Sequence, residues 1–144
     1  MAHDDPHNLE RFVEAQDPVI DEVKRELRSG RKRTHWMWFV FPQMAGLGRS
    51  EMSRRYAISS RDEAEAYLRH AILGPRLRDC TEIVNAVDGR SATEIFGSPD
   101  DLKFRSSMTL FDAVADDPTP FSTALQQYYD GDPDPKTLEL LGDA

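Results

Sequence analysis

Apolar residues recur every three or four positions along most of this chain, the period of an amphipathic helix. After Asp17 and Pro18, which offer an N-cap and a first helical position, Val19, Ile20, Val23 and Leu27 share one face, and Gly30 closes the segment. A shorter helix around Leu9, Phe12 and Val13 precedes it, with Asn8 in place to cap it. Ser60 and Glu63 stand at capping-box spacing before Ala64, Tyr67 and Leu68, and Ser91 and Glu94 repeat the pattern before Ile95 and Phe96, with Gly97 as the stop. Between them, Pro75 lies near a helix start and Leu77, Cys80, Ile83, Val84 and Val87 form an apolar face. Ser98, Pro99, Asp100 and Asp101 read as a cap, a first position and a dipole-compatible first turn. The apolar face of that helix is broad, running through Leu102, Phe104, Met108, Leu110, Phe111 and Val114. The stretch "PTPFSTALQQYYDG" predicts another helix ending near Gly131, and Asp134–Pro135 opens a last short one. The pattern predicts an all-α fold: a compact single-domain bundle of five to seven short helices over residues 1–144. A flexible tail is expected at 1–8, and a loosely attached acidic segment at 131–144.

One stretch departs from this pattern. "WMWFVF", residues 36–41, has strand-like residue types but no alternation of apolar and polar positions. As a strand it would be buried on both faces, and no second segment offers a pairing partner for its backbone. A short helix between Thr34 and Pro42 satisfies its own amides, so helix is the favoured reading.

Composition narrows the class. With 144 residues and 39% hydrophobic content, the chain matches one domain with one core. Cys80 is the single cysteine, so no internal disulfide forms, and a reducing, cytoplasmic compartment is expected. No apolar run reaches the roughly 18 residues of a membrane span, and "MAHDDPHNLE" has no signal-peptide core. The net charge of −8 is uneven: residues 1–23 carry seven acids and one base, 24–105 sixteen bases and eleven acids, and 106–144 eight acids and one base. The overall sign disfavours nucleic acid as a partner, while the basic middle suits a small anion such as a phosphate.

Three blocks carry candidate chemistry. Trp36 and Trp38 offer rings that either fill the core or stack on a ligand, with Gln43 just beyond. "GLGRS" combines Gly46 and Gly48, which permit close backbone approach, with Arg49, Ser50 and, further on, Arg54. It lacks the lysine and spacing of a P-loop and does not follow a strand, so no cofactor is implied. "KFRSSMTLF" crowds Lys103, Ser106 and other hydroxyl residues into an apolar helix, directed either at helix packing or at the same pocket. Glu51 and Asp101 are the candidate general bases if there is a reaction. His3 and His7 fall in the polar N-terminus, and His35 and His70 have no second ligand at metal spacing, so no metal is expected. Cys80, on an apolar face, reads as a small buried hydrophobe.

The blocks "RFVEAQ", "HWMWFVFPQMAGLGRSEMSRRYAI", "EAEAYLRHAILGPRLRDC" and "IFGSPDDLKFRSSMTLF" closely resemble, in the same order, a family of small bacterial and fungal proteins. That family is known only as a domain of unknown function and is often labelled calpastatin. The resemblance covers residues 9 to 130 and implies a mostly α-helical single domain. The calpastatin label fits poorly, because a calpain inhibitor is a disordered, repeat-bearing chain. A looser likeness, to small α-rich domains associated with NAD and ADP-ribose, transfers no residue role. The reading is a protein that binds or hydrolyses a phosphorylated, nucleotide-like ligand of ADP-ribose type. The alternative is a non-catalytic protein-interaction module whose partner the sequence does not identify.

Overall fold

The computed structural model describes residues 5–142, and among them ten helices follow one another with no strand. They are α1 (Glu10–Gln16), α2 (Ile20–Arg28), α3 (Met37–Val40), α4 (Glu51–Arg55), α5 (Arg61–Arg69), α6 (Leu73–Asn85), α7 (Ala92–Phe96), α8 (Asp100–Val114), α9 (Thr119–Tyr129) and α10 (Pro135–Gly142). The all-α prediction holds, but the count exceeds the expected five to seven. Helices α3, α4 and α7 are only four or five residues long. Pieces that short do not persist alone in water, so packing holds them.

The longest helix, α8, is the axis. It packs against α5, α7, α9 and α10, while α6 bridges α9, α5 and α2, and α1 lies on α3. Phe104, Met108, Leu110 and Phe111 of α8 have no exposed surface. Phe104 stacks on Phe96 of α7 (centroids 4.6 Å apart) and meets Phe41 edge-on at 5.0 Å. Burying rings of this size contributes roughly 1.5–3 kcal/mol each.

The "WMWFVF" stretch is helical for one turn, α3, as favoured. Beyond it the chain loops out and returns: Ala45 N–H donates to the Ile58 carbonyl (2.8 Å) and Ile58 N–H to the Gln43 carbonyl (2.9 Å). This isolated bridge between Met44 and Ile58 closes a loop that carries α4.

The capping readings fare unevenly. Ser91 and Glu94 form a complete capping box on α7. Ser60 caps α5, but Glu63 turns to Ser59 and to Arg11 of α1 (2.9 Å) instead of closing the box. Gly30, at φ +77°, follows the end of α2 as expected. Three caps fall elsewhere. Asp17 ends α1, and α2 starts only at Ile20. Asp5, not Asn8, supplies the carboxylate at the start of α1, accepting from Leu9 and Glu10 N–H (2.8 and 3.1 Å). Ser98 makes no side-chain cap on α8, whose N-cap position is Pro99. Leu102, placed on the apolar face of α8 by its spacing, is 56% exposed. Residues 1–4 of the expected N-terminal tail, with His3, lie outside the described residues, as do 143 and 144 of the acidic segment.

The C-terminal end of the chain is tied to α8 by the hydroxyls of "KFRSSMTLF". The Ser106 hydroxyl reaches Asp134 Oδ2 (3.0 Å), and Asp134 N–H donates to Thr109 Oγ1 (2.9 Å). The same Asp134 oxygen accepts from the Thr137 hydroxyl and N–H (2.5 and 3.2 Å), capping α10. Arg105 holds the preceding strap through the Asp132 and Pro133 carbonyls, both at 2.9 Å.

Candidate functional site

The segment from Arg31 to Gln43 is organised by one buried carboxylate. Glu26, near the end of α2, is 2% exposed. It accepts from Arg33 N–H (2.8 Å), Thr34 N–H (3.1 Å), the Thr34 hydroxyl (2.7 Å) and the Trp36 indole N–H (3.0 Å). Burial pushes its pKa up, but the Arg33 amide, the Thr34 hydroxyl, the Trp36 indole and the Thr34 amide outweigh that and bring it down to about 2. Thr34 therefore serves Glu26 and does not cap α3, whose N-cap position is Trp36. Lys32 turns inward, its ammonium 5.1 Å from the Trp36 ring centre and 3.0 Å from Asp100 of α8.

Trp36 is thereby sealed, 1% exposed with its N–H already bonded, and it has no face left for a ligand. Trp38, two residues on, is different. It is partly exposed, and its buried indole nitrogen has no hydrogen-bond partner among the described residues. Lys103 of α8 places its ammonium 5.4 Å from the Trp38 ring centre and 3.6 Å from Asp100.

These two residues line a small hollow with Met37 and Phe41 from the aromatic stretch, Gln43 from the loop, and Ser53 and Tyr56 from α4 and its end. The hollow holds about 10 Å³ of solvent-sized space, roughly one water, within a depression of about 230 Å³ that opens to solvent. Gly48 packs against two of its lining residues. A β-carbon there would fall 2.4 Å from Ser53 Cβ and 3.6 Å from the Gln43 amide nitrogen, so only glycine lets α4 close down on the loop. Ser50 caps α4, accepting from Ser53 N–H (3.0 Å) while its own hydroxyl donates to Ser53 Oγ (2.9 Å). Among the described residues no carboxylate lines the hollow.

The other predicted residues are not on its wall. Gly46, at φ +101°, faces Leu140 of α10 and shapes the loop from outside. Arg49 and Arg54 are exposed and make no ion pair among the described residues. Glu51 is exposed in the first turn of α4. Asp101 accepts from the Thr93 hydroxyl (2.6 Å) and from Leu102 N–H (2.9 Å) at the start of α8. Ser106 serves Asp134. Of the "KFRSSMTLF" polar groups, Lys103 alone lines the hollow. Ser107, one turn further along α8, is fully buried, and its hydroxyl has no partner among the described residues.

Met37, Phe41, Ser53 and Tyr56 line the hollow and are not among the site residues expected from the sequence. For the last two the signal was present: Ser50 stands three residues before Ser53, an N-cap spacing, and Ser53 and Tyr56 then share one face of the short helix.

A larger, shallow groove of about 910 Å³ runs between the N-terminal segment and α5, lined by Asp5, His7, Glu10, Asp62, Arg69 and His70 among others. Two of its ligating groups are in structural use. Asp5 caps α1, and His70 Nδ1 accepts from Ile72 and Leu73 N–H at the start of α6. Among the described residues no three His, Cys, Asp or Glu side chains are grouped to hold a metal ion, and no helix is long and apolar enough to cross a membrane.

Comparison with known proteins gives two matches. Residues 6–141 match a family model whose description is protein of unknown function (DUF1810). A solved structure, the crystal structure of the conserved hypothetical protein Rv1873 from Mycobacterium tuberculosis, is 58% identical to this chain. The alignment covers 96% of this chain and 99% of that one, with a TM-score of 0.95. No curated protein matches.

Proposed function

This chain belongs to the DUF1810 family, and from the site we propose that it binds a small phosphorylated, nucleotide-like ligand at the hollow between α3, α4 and α8. The observation that carries the reading is convergence. Trp38, Gln43, Ser53 and Lys103 come from separate stretches of the chain and line one hollow, with Gly48 packed against Ser53. An indole, an amide, a hydroxyl and an ammonium on partly apolar walls are what a small polar ligand needs for orientation and charge neutralisation.

The arrangement supports binding and not hydrolysis. Glu51 and Asp101, the candidate bases, are away from the hollow, and no other carboxylate replaces them on its wall. The hollow itself admits one oxygen-sized group, so the body of the ligand lies across the mouth, beside Lys103 and the Gly46–Gly48 loop. Tryptophan fluorescence titrated with ADP-ribose, and with ADP and AMP in parallel, tests this. A saturable change at millimolar or lower concentration, lost in Lys103→Met, is expected. No response from any of them at millimolar concentration rules the reading out.

A further inference from the structure

The walls of the hollow are unequal in a way that selects the group entering it. Trp38 Nε1 is a donor only, is buried, and has no acceptor among the described residues. The Lys103 ammonium is also donor-only. The Ser53 oxygen already accepts the Ser50 hydroxyl, which leaves the Ser53 proton to give away. Gln43 and Tyr56 can add donors, and Met37 and Phe41 add no polar group. Asp100 pairs with the Lys103 ammonium at 3.6 Å and with Lys32 at 3.0 Å, and it is not among the residues that line the hollow. A buried donor without an acceptor is costly, and a charged acceptor answers it best.

Building on the small-ligand reading above, we infer that the hollow is an oxyanion pocket: one phosphate oxygen enters it and takes the Trp38 N–H, with the phosphate charge held by Lys103. The phosphate, and not a base or ring, is then the part the protein recognises. Two dimensions support this. The space accepts a single oxygen and cannot admit a purine. One face of the Trp38 ring lies under the Lys103 ammonium, so that face is not offered for stacking. The ligand class is therefore small phosphate monoesters and sugar phosphates, with a nucleotide admitted through its terminal phosphate.

The two indole N–H resonances of the 15N-labelled protein make the test direct. Trp36, bonded to Glu26, serves as the internal control. Titration with inorganic phosphate and with ribose 5-phosphate is expected to move the Trp38 resonance saturably and leave Trp36 in place, while adenosine moves neither. Trp38→Phe, which keeps a ring and deletes the donor, and Gln43→Glu, which sets a carboxylate at the mouth, are each expected to weaken ribose 5-phosphate by about tenfold or more in calorimetry. If either variant fails to fold, the other and the wild-type titration still decide. Adenosine moving Trp38 as strongly as ribose 5-phosphate would overturn the oxyanion pocket and leave the small-ligand reading standing. So would a response to ADP-ribose with none to phosphate or ribose 5-phosphate. Silence from every compound would sink both. Unweakened ribose 5-phosphate binding in both variants would place the anion elsewhere and refute the assignment.

Discussion

Replacing Glu26 by glutamine removes a charge and nothing else of size, and the structure sets the expected cost. The carboxylate is 2% exposed and receives four donors from Arg33, Thr34 and Trp36. Its pKa falls from the usual 4.5 to about 2 on folding. At about 1.36 kcal/mol per unit, ionised Glu26 contributes on the order of 3 kcal/mol to stability at pH 7. The sign follows from the depression. The contribution is complete above pH 4.5 and drains away as pH falls toward 2, because the unfolded chain takes up the proton first. By pH 3.5 somewhat under half of it is gone. Glu26→Gln turns an amide NH₂ toward donors, so it is expected to lose about 3 kcal/mol at pH 7 in urea unfolding followed by far-UV circular dichroism. The difference between wild type and variant should narrow by somewhat under half at pH 3.5, since every other carboxylate titrates alike in both proteins. A deficit that stays constant between the two pH values would refute the argument, because ionisation of Glu26 would then not be what holds the segment. A deficit under about 0.5 kcal/mol at pH 7 would refute it equally.

Asp134→Ala removes the acceptor shared by Ser106 and both donors of Thr137. A loss of about 1–2 kcal/mol is expected, with amide exchange over 135–142 accelerated far more than in α8; uniform exchange would show that the contact does not anchor α10. Cys80 is fully buried, and burial, only partly offset by Lys24, pushes its thiol up to about 12. A thiol reagent at pH 8 should label it only after urea unfolding, and stoichiometric labelling of the folded protein within minutes would contradict that placement.

Local signals were readable where the reason for an element is local. Ser60 and Ser91 cap the helices they precede, Gly30 ends α2, and α8 and α9 fall where the apolar period put them, because capping and periodicity act within a few residues. The errors arose where a distant group competes. Asp17 looks like a cap, yet α1 runs up to it and Arg76 of α6 pairs with it at 2.8 Å. Leu102 has core spacing but sits one position off the packed face of α8. Helix α4 has little apolar content and exists because the Gln43–Ile58 hydrogen bond and the lack of a side chain at Gly48 close the loop around it.

The candidate site divides the same way. Composition marked the aromatic block, the glycine turn and the lysine–hydroxyl segment as unusual, and Trp38, Gln43 and Lys103 line one hollow. Nothing in the order of residues separates Trp36 from Trp38, since both are tryptophans two positions apart. Glu26, ten residues upstream of Trp36, takes the indole N–H of one and leaves the other without an acceptor. Likewise Ser106 and Thr109 look like pocket residues until Asp134 arrives from 25 or more positions away to claim them.

By itself the sequence determined the all-helical class, several helix ends and the residue types from which a site can be made, because backbone preference, capping and apolar period are short-range effects. The tertiary structure alone decided which of two indoles is sealed, which hydroxyls are already engaged, and that one lysine lies over the ring of the indole whose N–H has no partner among the described residues. Those outcomes depend on hydrogen bonds and packing between groups far apart in the chain, whose pairing no local pattern encodes.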